Sequence, residues 1–346
     1  MYDNVKKQYY SLDILKIVLT LLVVAIHINP FNSLDAMDYV RYPLILIAVP
    51  MFFCISSFLF FSKYDNSDNK KQLIIRFVKR NLLLYLCWFV ILLPATIYIR
   101  GYFSNGFRGG LQFVIDLFIG STFRSSWFIM ALVIGTLIVA FLSKYLKNIG
   151  SIILGIMFYI ICLFASGYGN LIQNNPLMWF INHYPATIYQ SFPISIVFIS
   201  IGKVVADYRE KLMNKRTVWL IATIITFIML VVEFWILEVN QIQIAYAYYV
   251  MTIPFCLFLL ALFTGLDIKL SDRFALCVRK CSTVTYCLHT TLAWLIVALL
   301  SKINVSSDFP MSLLIYIVVV AVCVLVTLVI DKLSKFKYLS FLKYFY

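Results

Sequence analysis

The sequence predicts an all-α integral membrane protein, a bundle of about ten transmembrane helices with both the N- and C-termini in the cytoplasm. Of its 346 residues, 63% are hydrophobic and only 13% are charged, whereas about a quarter of the residues in soluble domains are charged. Apolar runs of membrane-spanning length recur along the whole chain, and no polar stretch is long enough to form a separate soluble domain. We therefore expect a single transmembrane domain over residues 1–346.

Ten segments have the length and apolar composition needed to cross about 30 Å of hydrocarbon. They are residues 11–30, 42–62, 81–99, 126–144, 150–167, 187–206, 217–237, 244–265, 283–301 and 311–331. A shorter apolar segment, residues 110–120, is too short to cross. It is predicted to form an interfacial or re-entrant helix.

The basic residues predict the orientation of these spans. With the N-terminus inside, 23 of the 29 lysines and arginines fall in inner loops or tails, and five fall on the outer side. Because this asymmetry follows the positive-inside rule, the net charge of +14 is assigned to membrane topology, and no nucleic-acid partner is expected. The predicted partner is the lipid bilayer, and the predicted location is the cell membrane, as a multi-pass protein of a bacterial plasma membrane.

Two ionisable residues inside the first apolar segment are candidates for a functional site. Lys16 and His27 are eleven residues apart, which is three helical turns plus about 20°, so they share one helix face about 16 Å apart. Ionisable groups in a membrane span are costly and mark functional sites. His27 is predicted to act as a general base, or else to hydrogen-bond a neighbouring span. Lys16 is predicted to bind an anionic group, or else to pair with Asp13.

Further candidates lie at the outer side and inside later spans. The outer arginines are predicted to form a pocket for a carboxylate or phosphate, or else to contact lipid headgroups. A carboxylate inside the seventh span, Glu233, is expected to face the bundle interior, where it orients a histidine, holds a substrate amine or bonds a neighbouring helix. His289, on the inner half of the ninth span, is expected to be structural. The outer arginines are Arg41, Arg100, Arg108 and Arg124.

Five short motifs, in the same order along the chain, resemble those of the acyltransferase-3 family of ten-span membrane acyltransferases. The first is Lys16, ten intervening residues and His27, with lysine where the family more often has arginine. The others are residues 50–57, with Ser57 in place of the usual glycine; residues 76–85; residues 126–132, which include Trp127; and residues 285–289, with the leucine one position later than in the family.

This resemblance implies that an acyl group passes from a cytoplasmic donor of the acyl-CoA type to a hydroxyl of an extracytoplasmic cell-surface or cell-wall acceptor. It makes His27 and Lys16 the predicted catalytic residues, with His27 as the base that takes the hydroxyl proton and Lys16 as a ligand of the donor. Trp127, the outer arginines and Glu233 are predicted to bind substrate. Acyl-CoA would be a co-substrate, and no bound cofactor or metal is expected.

The resemblance extends to the membrane half of the serine racemases linked to vancomycin resistance, and this implies an alternative function. In that group a bundle of this type precedes a cytoplasmic racemase domain and is associated with serine uptake. The placement of Glu233 resembles that subgroup. The chain would then be a transport module for serine, a small amino acid. Racemisation is not expected in this chain, because it contains no recognisable racemase domain or cofactor-lysine motif.

Overall fold

The computed structural model describes residues 8–102, 106–123, 125–173 and 175–346, and within these ranges the protein is all-α, as predicted, with no strand. Short 3-10 helices lie at Gly169–Ile172, Ile188–Gln190 and Lys337–Phe345. The α-helices are α1 (Tyr10–His27), α2 (Asp35–Leu46), α3 (Ala48–Tyr64), α4 (Lys70–Arg100), α5 (Gly106–Phe118), α6 (Trp127–Phe164), α7 (Pro176–His183), α8 (Phe192–Asp207), α9 (Arg209–Met213), α10 (Arg216–Val239), α11 (Thr252–Gly265), α12 (Asp272–Lys302) and α13 (Met311–Leu333).

Seven helical segments of the described chain are long and apolar enough to cross a membrane. They are Tyr10–His27, Asp38–Tyr64, Lys70–Arg100, Trp127–Phe164, Arg216–Val239, Asp272–Lys302 and Met311–Leu333. The predicted count of ten spans differs from these seven segments of the described chain for two physical reasons. Helix α6 covers two predicted spans and is broken at Lys147, whose backbone is non-helical (φ 53°, ψ −151°). Helices α8 and α11 have 16 and 14 residues, about 24 and 21 Å, which is short for a full crossing.

Local sequence signals explain where several helices begin and end. Asn69 caps α4 by accepting a hydrogen bond from the backbone N–H of Gln72 at 3.0 Å, and Ser271 caps α12. Gly101 ends α4 in the left-handed region (φ 60°), a conformation that glycine adopts without steric cost. The predicted interfacial segment lies in α5, a 13-residue helix about 20 Å long.

The centre of the bundle is formed by α3, α6 and α8, which make the most extensive helix contacts in the described chain. Small residues permit this close approach. A Cβ atom added at Gly202 of α8 would lie 2.8 Å from the backbone nitrogen of Phe58 on α3. A Cβ atom added at Gly155 of α6 would lie 2.8 Å from the Cα of Val197 on α8. The packing of these three helices therefore requires glycine at the two crossings.

Helices α1 and α12 run side by side in the same direction. The numbers of the residues that contact each other increase together along the two helices. Asp13 pairs with Arg279, Thr20 donates to the hydroxyl of Ser282 at 2.9 Å, and the ring of His27 contacts that of His289. The polar face predicted for α1 therefore lies against α12, and the ring of His27 at its end remains exposed.

Three of the loops that are predicted to lie on the inner side meet at one end of the bundle. The ammonium group of Lys203 lies 3.1 Å from carboxylate oxygens of both Asp65 and Asp207. Asn148 donates to Asp207 at 2.6 Å. Residues from the ends of α3 and α8 and from the break in α6 therefore meet at a single end.

The opposite end joins loops that are predicted to lie outside. Asn32, after α1, donates to Asp308, before α13, at 2.9 Å. Asn170, after α6, donates to the backbone carbonyl of Gln241, after α10, at 2.7 Å. This end also contains His27, because it closes α1.

Candidate active site

Two histidines from different helices meet at the end of α1. The ring centroids of His27 and His289 are 5.2 Å apart, and the ring planes are inclined by 49°. The ring of His27 is exposed, whereas that of His289 is fully buried. His289 was expected to be structural, on the inner half of its span; the structure places its ring in contact with the ring of the candidate base. The sequence signal for this position was its place in the late motif at residues 285–289.

The hydrogen bonds of His289 show that its Nδ1 carries a proton. Its Nδ1 lies 2.7 Å from the carbonyl of Thr285 and 3.1 Å from that of Tyr286. Because carbonyls only accept, Nδ1 carries the proton, and in a neutral ring Nε2 is then an acceptor. Nε2 is buried and has no hydrogen-bond partner in the described part of the chain. Buried polar atoms are normally satisfied, so this acceptor has capacity for an N–H or O–H group.

An aromatic and polar wall borders the histidine pair. The hydroxyl of Tyr286, one turn before His289, donates to the carbonyl of Ser125 at 2.6 Å. Its ring lies 5.1 Å from that of Phe128. Trp127 is buried in this wall and packs on Phe53 with centroids 6.0 Å apart. The predicted substrate residue Trp127 thus contributes to the packing of the wall.

Lys16 belongs to a charged cluster at the other end of the α1–α12 pair. Asp13 is only 2% exposed, and Arg279 holds it with two hydrogen bonds of 2.9 and 2.6 Å. Lys16 lies 3.8 Å from the same carboxylate, so the pairing with Asp13 that was weighed from the sequence is present. Two cations share one carboxylate, which leaves the cluster positively charged. Arg279 was not singled out from the sequence, because its partner is 266 positions away.

The outer arginines have different surroundings. Arg41 is 9% exposed, pairs with Asp38 at 2.7 Å and lies over the ring of Tyr42. Arg100 and Arg108 line one cavity. Arg124 lies outside the described residues. The structure therefore brings two of the four predicted arginines together, and a third is engaged in a local ion pair.

Glu233 makes contacts typical of a helix cap. Its carboxylate accepts hydrogen bonds from the backbone N–H groups of Val250 and Met251 at 2.6 and 2.8 Å, next to the start of α11. The hydroxyl of Tyr168 also donates to it. These three donors correspond to the helix-bonding alternative weighed from the sequence, while substrate binding by Glu233 stays a prediction.

Comparison with known proteins gives a family match over most of the chain. The model of the acyltransferase-3 family, described as an acyltransferase domain, matches residues 9–331. An amino-acid racemase of Enterococcus faecalis is 28% identical over 171 residues, which are 49% of this chain and 23% of the racemase. A serine/alanine racemase of Enterococcus gallinarum is 26% identical over 172 residues, 48% of this chain and 24% of the racemase.

The matched region spans about a quarter of the length of these two racemases. No solved structure matches the chain. The family model covers nearly the whole sequence, from before α1 to the last turns of α13. This chain therefore belongs to the acyltransferase-3 family.

Proposed function

We propose that this protein transfers an acyl group from an acyl-CoA-type donor on the cytoplasmic side to a hydroxyl group of an acceptor on the outer face of the membrane. The observation that carries the proposal is the exposed ring of His27, which lies against the buried ring of His289. Histidine is the side chain best suited to accept a proton near neutral pH. Membership of the acyltransferase-3 family supports the reaction class.

In the proposed reaction, the acceptor hydroxyl attacks the carbonyl carbon of the donor thioester. His27 removes the hydroxyl proton as the new C–O bond forms. The C–S bond then breaks, and the proton passes from His27 to the thiolate, which leaves as the free thiol. Donor, acceptor and proton balance without any further reactant.

His289 acts as a positioning residue in this scheme. When His27 has taken the proton, both of its ring nitrogens are donors. The lone pair on Nε2 of His289 is oriented by the bonds from Nδ1 to the backbone. This acceptor, in a fully buried position, stabilises the imidazolium form of His27.

The cluster of Lys16, Asp13 and Arg279 is proposed to hold an anionic part of the donor. Its net positive charge supports this role. Lysine binds such groups as a point charge, whereas the planar guanidinium of Arg279 offers a fork of donors. Because α12 contributes both Arg279 and His289, one helix would link the donor cluster to the base.

We infer ten membrane crossings with both termini in the cytoplasm. The parallel course of α1 and α12 supports this topology, since they correspond to the first and ninth predicted spans. The gathering of the predicted inner loops around Lys203 also supports it. A cysteine at Asn32 should react with a membrane-impermeant reagent from outside, and a cysteine at Asn66 should be protected. The reverse pattern would invert the topology.

The proposed base is tested by comparing His27→Ala with His183→Ala in membrane vesicles. His183 is also an exposed histidine, but it stacks on Trp179 in α7, with ring centroids 4.2 Å apart. Incorporation of labelled acetyl from acetyl-CoA into surface glycans should fall about 100-fold or more for His27→Ala, the usual contribution of a general base. The His183→Ala variant should retain activity. Equal activities of the two variants would refute the role of His27.

A second function is favoured by the names of the two curated relatives. One is named an amino-acid racemase and the other a serine/alanine racemase, so we propose as the alternative that the bundle moves serine across the membrane. Uptake of labelled serine into vesicles that contain the protein decides between the two functions. Uptake that requires His27, without acyl transfer, would favour the transport module over the acyltransferase.

A further inference from the structure

A polar cavity of about 970 Å³ lies at the same end of the bundle as His27. Residues from the end of α4, from α5, from the turn after α5 and from the segment between α7 and α8 line it. The segment between α7 and α8 is fixed to α5, because Gln112 donates to the carbonyl of Pro185 at 3.4 Å. The cavity is large enough for one or two sugar rings or a ligand of similar size.

The charge of the cavity favours an anion. Arg100 and Arg108 both line it, and neither pairs with a carboxylate in the described part of the chain. One N–H group of Arg100 donates to the carbonyl of Ser121 at 3.0 Å, which fixes the guanidinium and leaves four of its five donors. Asp116 is the only acidic group among the described residues of the lining, and it does not balance the two guanidinium groups.

Asp116 is already held by the wall of the cavity. It is 6% exposed and accepts hydrogen bonds from the hydroxyl of Tyr102 at 2.5 Å and from Gln112 at 3.0 Å. Burial and the bond to Asp116 raise the pKa of Tyr102, so its hydroxyl stays protonated at neutral pH. Gly120 permits this arrangement, because a Cβ there would collide with the Asp116 carboxylate. The wall is therefore a built polar surface, in which the carboxylate orients hydrogen-bond donors.

The rest of the lining suits a hydroxylated ligand better than an acyl chain. Amide side chains from Gln112, Asn182 and Gln190 supply both donors and acceptors for hydroxyl groups. The rings of Tyr184 and Tyr189 offer flat apolar faces with a polar end. A sugar ring, with polar edges and apolar faces, matches both kinds of surface.

The cavity connects to the histidine pair through the turn between α5 and α6. Ser121 lines the cavity, and its hydroxyl accepts a hydrogen bond from the backbone N–H of Trp127 at 3.2 Å. In the same turn, the carbonyl of Ser125 accepts the hydroxyl of Tyr286, one helical turn before His289. A ligand that contacts this turn is therefore linked, through the turn, to the wall that borders His27 and His289.

From this geometry we infer that the cavity is a binding site for an anionic saccharide unit, in which Arg100 and Arg108 hold the carboxylate or phosphate and the amides and tyrosines hold the ring. In the context of the proposed acyl transfer, on which this role rests, the site selects acidic acceptor glycans. Binding itself does not depend on the chemistry of His27, so it can be tested separately.

The test is equilibrium binding to the full chain, purified in detergent, with a glucuronic acid trisaccharide and a neutral glucose trisaccharide as probes. The acidic probe should bind about tenfold more tightly than the neutral one, because each guanidinium contributes charge-assisted hydrogen bonds. Arg108→Gln should weaken acidic binding about tenfold, and Arg108→Lys should recover part of it. Both arginines are exposed, so these changes should leave the fold intact. Arg273→Gln, an exposed arginine at the start of α12, is the matched control and should bind normally.

Several outcomes would overturn the proposal. Equal binding of the two trisaccharides would refute the preference of the cavity for an anion. Unchanged binding of the acidic probe by Arg100→Gln and Arg108→Gln would refute the role of the two arginines in binding. Binding of phosphatidylglycerol vesicles that needs the same arginines, with no saccharide binding, would assign the cavity to a lipid headgroup. The His27→Ala variant separates saccharide binding from acyl transfer. It should bind the acidic probe normally even though acyl transfer fails.

Discussion

The buried acceptor on His289 leads to the most specific prediction. Asparagine places its amide nitrogen near the position of Nδ1, so His289→Asn keeps the bond to the Thr285 carbonyl but removes the acceptor at Nε2. Glutamine reaches one bond further and supplies an oxygen close to the position of Nε2. The two variants therefore separate the local helix bond from the contact with His27.

The expected magnitude follows from the burial of the ring. A hydrogen bond to a charged group contributes about 1.5–3 kcal/mol, which corresponds to about a 10- to 150-fold change in rate. His289 is fully buried, whereas the ring of His27 is exposed, so solvent screens part of the contact and the lower part of the range is expected. His289→Asn should lower kcat by this amount with little change in KM, since the interaction strengthens only when His27 is protonated.

The assay is the kinetics of labelled acetyl transfer from acetyl-CoA in vesicles that contain equal amounts of each folded variant. His289→Gln should recover at least part of the lost kcat. If both variants are equally slow, the ring acts through packing alone. If both retain full kcat, the stabilisation of His27 by His289 is refuted.

Three further predictions concern the stability of the bundle. Arg279→Gln and Asp13→Asn should each cost about 2 kcal/mol in unfolding free energy, because each removes one partner of a mostly buried pair and the exposed side of Arg279 moderates the loss. In a detergent unfolding assay, the double variant should lose less unfolding free energy than the sum of the two single losses. Strict additivity would show that the pair does not stabilise the contact between α1 and α12. Gly202→Ala should lower the melting temperature, whereas Gly110→Ala, with open space around its Cβ, should not; equal effects would refute the close crossing of α3 and α8. Glu233→Gln should destabilise the fold by about 1–2 kcal/mol while KM stays constant, because an amide cannot accept all three hydrogen bonds of the carboxylate. A raised KM at normal stability would instead indicate that Glu233 binds substrate.

Properties that depend on local sequence were predictable. The spacing of Lys16 and His27 places both on one face of a single helix, and α1 is continuous over Tyr10–His27. The apolar segments lie in helices because a bilayer requires the backbone to be satisfied within each span. The outer position of the arginines also suggested a shared site, and Arg100 and Arg108 do line one cavity.

Contacts between distant parts of the chain were not predictable in the same way. His289 was interpreted as structural, and its position within its own span gave no sign that α12 packs directly against α1. The pairing of Asp13 with Arg279 also depends on that helix contact. Glu233 looked functional as a lone carboxylate in a span, since its donors come from backbone groups that sequence patterns do not reveal.

The proposed reaction depends on His27 as the general base when an acyl group passes from a cytoplasmic donor to a hydroxyl group at the outer face. It is tested most directly in right-side-out vesicles that are loaded with labelled acetyl-CoA. We expect label to appear on glycans at the outer surface with the unaltered protein and with His183→Ala, but not with His27→Ala. Undiminished labelling of outer glycans by the His27→Ala vesicles would contradict it.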